Sequence, residues 1–244
     1  MKLFLSYGNL RFIESRKRIN LEAKSLQIFD KTIVETEEIE KDEEFKKALL
    51  NPNFKQVFES KRGGGYWIWK PYIIFKHLQS LNENDILIYS DSGCTINNNQ
   101  KTVNTLNSYI EFLNQSEKGI IAVHNPHAEY KWTKGDIFKH FNCHFQDLEN
   151  DNDIDNIYNT NQFTANRIFI KKNAYSMKIF ELWWKTAKEN PNLFDDTKSA
   201  TKNKGGFKEN RHDQSIFSII CKTHGIESKF NFHKLPIKLT RIRK

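Results

Sequence analysis

The side chains with the greatest capacity for chemistry lie within residues 62–94 of this 244-residue chain. A glycine triplet at 63–65 precedes Lys70, and an apolar run at 86–89 leads almost directly into Asp91. Open α/β sheets bind ligands outside the carboxyl ends of their strands, so a carboxylate at that point can reach a ligand. Glycines allow a diphosphate to approach the backbone closely. This stretch therefore predicts a binding site for a diphosphate-bearing ligand.

Two other segments carry residues that could act on a ligand. His212 and Asp213 precede an apolar helix predicted over 215–222, which would hold both side chains rigidly. A single His-Asp pair at a helix start is usually a cap, so the pattern leaves open whether these residues act on a ligand or cap the helix. Trp132 lies among mixed charges in 129–136, where its ring could stack on a sugar or anchor a surface helix.

The composition is that of a folded, basic protein. Hydrophobic residues make up 38% and aromatic residues 13% of the chain, and Lys plus Arg outnumber Asp plus Glu by 38 to 30. The net charge of +8 suits a nucleotide diphosphate, an acidic membrane surface or nucleic acid, although solubility alone explains it equally well. Three widely spaced cysteines indicate neither a disulfide framework nor a zinc site, so a reducing compartment is expected.

No stretch of the sequence predicts secretion or a membrane span. The apolar run at the amino end is too short for a signal peptide, and no run approaches the ~20 apolar residues of a spanning helix. We therefore expect a cytoplasmic protein. A basic tail over 234–244, interleaved with Ile and Leu, could touch the inner face of the membrane or simply be solvated.

Apolar periodicity predicts alternating strands and helices in a single domain over residues 1–244. The predicted strands lie at 2–7, 33–36, 86–89, 119–123 and 163–170. The predicted helices lie at 11–29, 72–81, 102–113, 173–188 and 215–222. A further short helix, ending at residue 141, is expected to be capped by Thr133 or Asp136. Residues 149–161 predict an acidic loop without the glycine and glutamate of a calcium loop, and 194–206 predict a mobile lid.

Six short motifs follow one another along nearly the whole chain. The two specific ones are Tyr-Trp-x-Trp-Lys-Pro at 66–71 and Arg-His-Asp-Gln-Ser at 211–215. The weaker ones are Ser-Tyr-Gly-Asn at 6–9, the run 85–94, Glu-x-x-Trp-Thr-Lys at 129–134 and Gln-x-x-Ala at 162–165. In these motifs the chain resembles small bacterial and viral glycosyltransferases of the GT-A type, often labelled capsular-polysaccharide synthesis proteins.

The resemblance implies an α/β fold of the GT-A nucleotide-diphospho-sugar transferase type, with a mixed, mostly parallel central sheet and helices on both faces. It implies an enzyme that moves one sugar from a UDP- or GDP-sugar to a hydroxyl of a glycan or lipid-linked glycan, in capsule or other surface polysaccharide synthesis. The implied donor-binding residues are Ser6, Tyr7, Gly8, Arg62, Trp67, Lys70, Asp91, Ser92, Gly93, Gln162 and Arg211. The implied acceptor-binding residues are Trp132, Lys134 and Asp136.

A divalent cation, Mn²⁺ or Mg²⁺, is also implied, because many relatives hold one through an Asp-x-Asp motif. Gly93 stands here in place of the second aspartate, so the expected ligands are Asp91 and His212. The cation would neutralise the charge that develops on the leaving diphosphate.

The catalytic residues implied by the resemblance are carboxylates. If the reaction inverts the anomeric centre, Asp213 is the expected general base, followed by Glu129 and Asp136. If the reaction retains configuration, no such base is needed, and Asp213 would position the substrate or bind the metal.

Three other functions agree with parts of the sequence. Gly93 suggests a degenerate sugar-binding relative, which would hydrolyse no donor. The charge of +8 suggests a nucleic-acid-binding module, but acidic runs at 35–44 and 147–155 interrupt any basic surface, and no recognised motif is present. A nucleotidyltransferase would use a related sheet and release pyrophosphate.

Overall fold

The computed structural model describes residues 1–143, 157–227, 230 and 234–242, so most of the acidic loop predicted at 149–161 lies outside the described residues. The described strands are β1 (Lys2–Tyr7), β2 (Lys31–Glu35), β3 (Ile86–Ser90), β4 (Cys94–Ile96), β5 (Ile120–Ile121), β6 (His124–Ala128), β7 (Asn161–Phe163), β8 (Arg167–Lys171) and β9 (Ile237–Leu239). The described helices are α1 (Ile13–Ser25), α2 (Glu43–Leu49), α3 (Pro52–Phe58), α4 (Gly63–Tyr66), α5 (Lys70–Ser80), α6 (Gln100–Gln115), α7 (Glu129–Trp132), α8 (Gly135–His140), α9 (Ala174–Glu189) and α10 (Asp213–Thr223). None of these helices has the length and apolar character needed to cross a membrane.

Five strands form the central sheet in the order β2-β1-β3-β8-β5. β1 pairs in parallel with β2 and β3, whereas β8 runs antiparallel to both β3 and β5. Every residue of β3 is buried, which explains its continuous apolar sequence, since strands inside a parallel sheet are covered on both faces. The predicted mixed, mostly parallel sheet is confirmed.

Helices cover both faces of this sheet. Leu3 and Leu5 of β1 belong to a core cluster shared with α5, α9 and α10, whereas Phe4 belongs to a second cluster shared with α1 and α6. Successive side chains of a strand point to opposite faces, so β1 contributes to both clusters. The predicted covering of both faces is confirmed.

Local side-chain contacts divide one predicted strand into two. In place of a strand over 163–170, β7 and β8 are separated by a turn at Asn166. The side-chain oxygen of Asn166 accepts hydrogen bonds from Thr164 Oγ1 at 2.7 Å and from Arg167 Nε at 2.9 Å. These bonds stabilise the turn and place the Asn166 carbonyl beside the end of β3.

The segment predicted to be a basic tail contains a strand. β9 pairs antiparallel with β4, and the side chain of Ile237 is fully buried. The carbonyl of Ile237 accepts a hydrogen bond from Arg167 Nη1 at 2.7 Å. This part of the chain is therefore fixed beside the central sheet and does not extend into solvent.

The glycine triplet forms a left-handed turn. The five residues 63–67 have φ between 50° and 92°, a conformation that costs about 1–2 kcal/mol for a residue with a side chain and very little for glycine. A Cβ atom on Gly65 would lie 2.4 Å from the carbonyl oxygen of Phe58. The turn itself therefore requires these glycines, and the close approach of a diphosphate stays a prediction.

Candidate active site

A cavity of about 160 Å³ opens at the carboxyl end of β3. Seven of the predicted site residues line it: Arg62, Trp67, Lys70, Asp91, Arg211, His212 and Asp213. They come from the left-handed turn, the start of α5, the end of β3 and the start of α10. The structure thus brings together the two specific motifs and the aspartate that follows β3.

Lys70 joins two carboxylates in the wall of this cavity. Its Nζ lies 2.5 Å from Asp213 Oδ2 and 3.1 Å from Asp91 Oδ1, and it donates a hydrogen bond to the carbonyl of Ala165 at 3.2 Å. Only 2% of the Lys70 side chain is exposed. Pro71 follows in the first turn of α5, where its missing N–H is not needed. The ammonium therefore links α5, α10 and the end of β3.

Asp91 is the more accessible of the two carboxylates. Its side chain is 26% exposed, whereas that of Asp213 is 7% exposed. The hydroxyl of Tyr89 donates to Asp91 Oδ1 at 2.7 Å, and the Asp91 backbone N–H donates to the carbonyl of Asn166 at 2.9 Å. These contacts orient the carboxylate while one side remains open to the cavity.

Burial and mutual attraction determine the protonation of Asp213 and Lys70. Burial raises the pKa of Asp213 to about 6, while the charge of Lys70 opposes the rise and that of Asp91 adds to it. Burial acts to lower the pKa of Lys70, but the carboxylates of Asp213 and Asp91 outweigh it and the pKa is raised. Lys70 is therefore an ammonium ion at neutral pH, and Asp213 ionises close to neutrality.

Two arginines line the cavity, and only one of them is fully paired. The Arg62 guanidinium bridges Asp196 Oδ2 and Glu209 Oε2, each at 2.9 Å. The Arg211 guanidinium stacks on the ring of Trp132, 4.0 Å from its centroid. Its Nε lies 3.6 Å from Glu209 Oε1, beyond hydrogen-bond distance, and within the described residues this Nε has no hydrogen-bond partner. Among the described residues, Arg211 Nε is therefore a buried donor without a partner, while 27% of the Arg211 side chain is exposed.

His212 holds an unprotonated nitrogen in the cavity wall. Its Nδ1 lies 2.9 Å from the carbonyl oxygen of Asn210, so Nδ1 carries the proton and Nε2 keeps its lone pair. Burial, assisted by the charge of Arg62, lowers the pKa of His212 to about 3, and the ring is neutral. The ring packs against Tyr66 and Trp67, with centroid separations of 4.9 and 5.6 Å.

Backbone strain is concentrated around this ring. Tyr66, Trp67 and His212 have φ values of 50°, 56° and 55°. Each such residue costs about 1–3 kcal/mol and persists only where the surrounding contacts enforce it. Two distant segments therefore bring their strained residues to one cavity, an arrangement typical of a functional site.

The residues do not fit the divalent cation that the motifs imply. Asp91 Oδ1 and Asp213 Oδ2 both contact the ammonium of Lys70. His212 Nε2 instead lies 3.4 Å from Asp196 Oδ1. Within the described residues, no three His, Cys, Asp or Glu side chains are grouped as a metal site. The structure does not form the expected Asp91–His212 metal site.

A second cleft of about 390 Å³ lies at the carboxyl ends of β1 and β2. Tyr7, the last residue of β1, lines it and stacks on Trp69 with 3.8 Å between ring centroids. Glu37, which follows β2, lines the same cleft. Gly64 also lines it, so the left-handed turn borders both the cleft and the cavity.

Ser6 and Gly8 flank Tyr7 but do not line this cleft. Ser6 is fully buried. The carbonyl of Gly8 accepts a hydrogen bond from Arg16 Nη1 at 2.8 Å, and a Cβ atom on Gly8 would lie 2.7 Å from Arg16 Cγ. These two predicted donor-binding residues support the loop that presents Tyr7.

A third cleft, of about 430 Å³, shares Arg62 and Glu209 with the first cavity. Lys134, a predicted acceptor-binding residue, lines it. The Lys134 side chain is 3% exposed, with Nζ 3.2 Å from Asp195 Oδ1. Lys134 therefore forms the floor of this cleft while its charge is paired inside the protein.

Asp136 anchors the segment 194–206, which the sequence predicts to be a mobile lid. Its carboxylate accepts hydrogen bonds from the backbone N–H groups of Ala200 at 3.0 Å and Thr201 at 2.7 Å. Burial opposes ionisation, but these hydrogen bonds outweigh it and lower the pKa of Asp136. The N-cap of α8 is Lys134, without a side-chain cap, so the predicted capping by Asp136 or Thr133 is wrong.

Glu129 and Gln162 lie outside the cavity lining, and both are fully buried. Glu129 accepts hydrogen bonds from Lys222 Nζ at 2.7 Å and from Thr133 Oγ1 at 2.5 Å. Gln162 donates through Nε2 to the carbonyl of Trp132 at 3.1 Å. Both predicted site residues therefore hold the Trp132 segment beneath Arg211, and neither contacts the cavity.

Ser92 and Gly93 also lie outside the cavity lining and contact other parts of the chain. The carbonyl of Ser92 accepts a hydrogen bond from Arg18 Nη2 at 2.9 Å. The carbonyl of Gly93 accepts hydrogen bonds from Thr240 Oγ1 at 3.1 Å and from the backbone N–H of Ile242 at 3.3 Å. The loop after β3 thus attaches α1 and the carboxyl-terminal segment to the site.

Four residues of the lining are not among the predicted site residues: Ala165, Asn166, Glu209 and Gln214, of which Ala165 belongs to the Gln-x-x-Ala motif itself. Asn166 directly follows the Gln-x-x-Ala motif, and Gln214 lies inside Arg-His-Asp-Gln-Ser, so extending each motif to its neighbours would have found them. Glu209 contacts Arg62 across 147 positions. Only the complementary charge of the two residues could have indicated that contact.

Comparison with known proteins gives distant likenesses. No protein-family model matches the chain, and the search of curated proteins found no match. The chain is similar to the crystal structure of a glycosyltransferase involved in the glycosylation of the major capsid of PBCV-1, with 16% identity, a TM-score of 0.41, and coverage of 78% of this chain and 68% of that chain. It is also similar to mouse xyloside xylosyltransferase 1 in its apo form, with 14% identity, a TM-score of 0.43, and coverage of 93% and 83%.

Proposed function

We propose that this protein is a nucleotide-sugar-dependent glycosyltransferase of the GT-A type. The observation that carries the proposal is the cavity at the end of β3, which brings the open carboxylate of Asp91 and the partly exposed guanidinium of Arg211 into one space. A carboxylate accepts hydrogen bonds from sugar hydroxyls, and a guanidinium donates a planar pair of bonds to phosphate oxygens. Both groups lie where open α/β sheets bind ligands.

Arg211 would contact the diphosphate of the donor. Negative charge increases on the leaving oxygens as the sugar departs, and a cation already in position stabilises that charge strongly. Trp132 supports the guanidinium from one face, so Arg211 needs little rearrangement when the ligand binds. Arg62 could join it only by releasing Asp196 or Glu209.

The nucleoside would occupy the second cleft. Tyr7 gives this cleft an aromatic wall, and Glu37 gives it a carboxylate. An acidic residue after the second strand of an α/β sheet is well placed to accept hydrogen bonds from ribose hydroxyls. The left-handed turn borders cleft and cavity, so the diphosphate would pass beside it.

Asp213 is the proposed proton acceptor for the attacking hydroxyl. It lines the cavity, and a pKa of about 6 lies near the neutral pH at which a general base is most effective. Asp91, the more exposed carboxylate, would orient the donor sugar through its hydroxyl groups. The acceptor, proposed to be a glycan or lipid-linked glycan of a surface polysaccharide, would enter through the third cleft, which meets the cavity at Arg62 and Glu209.

A thermal-shift panel of UDP-, GDP-, CMP- and dTDP-sugars tests the donor class. A ligand at ~100 times its Kd stabilises the folded state by about 2.7 kcal/mol, which is readily measured. We expect one nucleotide to stand out and the protein to release the nucleoside diphosphate from that donor. Release of pyrophosphate from a nucleoside triphosphate and a sugar 1-phosphate would instead identify a nucleotidyltransferase, and binding of the nucleotide-sugar without release would identify a sugar-binding protein that has lost catalysis.

The variant Asp91→Asn tests the site itself and should abolish release while the protein stays folded. Asp42→Asn is the matched control, because Asp42 also pairs with a lysine of α5, Lys76, at 2.7 Å, but does not line the cavity. Equal release by wild type and Asp91→Asn would refute the assignment.

A further inference from the structure

We propose that this site binds its nucleoside diphosphate without a divalent cation, because the Lys70 ammonium occupies the space between Asp91 and Asp213 that such a cation would need. The proposal rests on the proposed function, since that function supplies the diphosphate. Asp91 is one of the two expected metal ligands, yet its carboxylate contacts the Lys70 ammonium at 3.1 Å, and the same ammonium contacts Asp213 at 2.5 Å.

Lys70 has little freedom to leave this position. Its side chain is 2% exposed, and it makes a third contact with the carbonyl of Ala165 at 3.2 Å. Lys70 is the first residue of α5, and Pro71, the next residue, fixes the first turn of this helix. The helix therefore sets the direction of the Lys70 side chain. A metal bound to both carboxylates would lie close to the ammonium, and like charges repel strongly at short distance in a poorly solvated site.

Gly93, two positions after Asp91, offers no side-chain oxygen to a cation. Its carbonyl accepts hydrogen bonds from Thr240 and Ile242. A Cβ atom on Gly93 would lie 3.8 Å from the Cα atom of Arg241. This position therefore contacts the backbone of the segment that carries Arg241.

Arginine side chains can neutralise the diphosphate in place of the metal. Burial lowers the pKa of Arg211 and Glu209 opposes this, while the nearby charges of Arg241 and Arg62 lower it further. The Arg211 guanidinium, which lines the cavity, therefore lies close enough to Arg241 and Arg62 to be repelled by both. An anion bound among them relieves that repulsion, so a diphosphate is complementary to this arrangement.

Manganese binding tests the proposal without any assay of activity. Bound Mn²⁺ loses the sharp EPR signal of the free ion, so a titration counts the ions held by the protein, alone and with UDP or GDP. We expect no stoichiometric binding to the protein alone, and with nucleotide no more than the nucleotide itself takes up. One Mn²⁺ per chain, lost in Asp91→Asn, would overturn the proposal.

Calorimetric titration with UDP and GDP, in EDTA and in Mn²⁺, gives a second measurement. We expect the Kd of the preferred nucleotide to agree within about threefold between the two buffers and to rise about tenfold in Arg211→Ala in both. A tenfold or greater gain in affinity from Mn²⁺ would overturn the proposal. If neither nucleotide binds in either buffer, the proposed function fails, while the EPR titration still decides whether the site takes a cation.

The variant Lys70→Ala tests whether the lysine occupies a cation position. Removing the ammonium frees two facing carboxylates, so we expect this variant to gain one Mn²⁺ site. Lys188→Ala is the control, because Lys188 pairs with a single carboxylate, Glu44, at 3.4 Å, and its removal frees no facing pair, so this variant should gain no Mn²⁺ site.

A folded Lys70→Ala protein without affinity for Mn²⁺ would overturn the assignment of this space to a cation. If Lys70→Ala does not fold, Lys70→Arg keeps the charge and should bind nucleotide equally in EDTA and in Mn²⁺. Dependence of its nucleotide binding on Mn²⁺ would overturn the proposal.

Discussion

Two buried lysines of this protein hold carboxylates in contrasting ways. Lys222 Nζ lies 2.7 Å from Glu129 Oε1, and it also donates to Thr160 Oγ1 and to the carbonyl of Asn161, both at 2.7 Å. The Glu129 side chain is 0% exposed. Lys70, in contrast, contacts two carboxylates, and one of them, Asp91, remains 26% exposed toward the cavity.

The electrostatic consequences also differ. Burial lowers the pKa of Lys222, and the single carboxylate of Glu129 does not reverse this. For Lys70, two carboxylates outweigh burial and raise the pKa. A buried ion pair with only internal partners stabilises the packing of helices, whereas a pair that keeps one side open can also act on a ligand. Glu129 and Asp213, which the sequence places together as candidate bases, therefore have different expected roles.

The largest effect is expected for Asp213→Asn. Loss of the proton acceptor should lower kcat by about 10²–10⁴-fold, while stability changes little because Lys70 keeps its contact with Asp91. Steady-state kinetics and a urea denaturation curve measure the two quantities. Asp195→Asn is the control, since Asp195 pairs with the buried Lys134 away from the cavity. A kcat within tenfold of wild type would show that Asp213 only positions other groups.

Glu129→Gln should show the opposite pattern. Removing the negative charge leaves Lys222 buried without a counter-ion, which costs about 3–5 kcal/mol of unfolding free energy, and kcat of the folded protein should change less than threefold. The urea midpoint, compared with that of Lys222→Gln, checks the first part. A fall in kcat without a loss of stability would place Glu129 in catalysis and remove the contrast with Asp213.

Trp132→Ala tests whether the open site depends on the stacked arginine. The contact between Trp132 and Arg211 is expected to contribute about 0.5–2 kcal/mol, so the KM for the donor should rise about 2- to 30-fold. Trp132→Phe keeps an aromatic face, so its KM for the donor should lie between those of the wild type and Trp132→Ala. A larger rise in the KM for the acceptor would support the alternative prediction, in which Trp132 stacks on a sugar.

Asp136→Asn gives the smallest expected effect and a characteristic pH dependence. The pKa of Asp136 is lowered in the folded protein, so its contribution to stability is present above the unfolded pKa of about 4 and is lost as pH falls through the folded value. The variant should be less stable by about 1 kcal/mol at pH 7, and the difference should shrink as the pH falls below about 4. Urea midpoints across this range check the prediction; a constant difference would contradict it.

The elements that sequence patterns predict well are those whose signals are local. β3 is a continuous apolar run, and Pro71 marks the first turn of α5, so the positions of Asp91 and Lys70 follow directly from neighbouring residues. The division of the strand predicted over 163–170 could not be foreseen in this way. It depends on the Asn166 side chain bonding to both of its neighbours, a choice that apolar alternation does not reveal.

By itself, the sequence determined the alternation of strands and helices, because apolar periodicity is a local signal, and the resemblance carried by its motifs implied the mixed sheet and the residues of the site. Only the tertiary structure decided which charges are paired. Lys70 contacts Asp213, which is 143 positions away in the sequence, and Lys222 contacts Glu129, which is 93 positions away. Such contacts are set by the packing of whole helices against the sheet. The spacing of residues along the chain does not predict these contacts. A lysine and a carboxylate therefore form an open site in one place and a closed structural pair in the other.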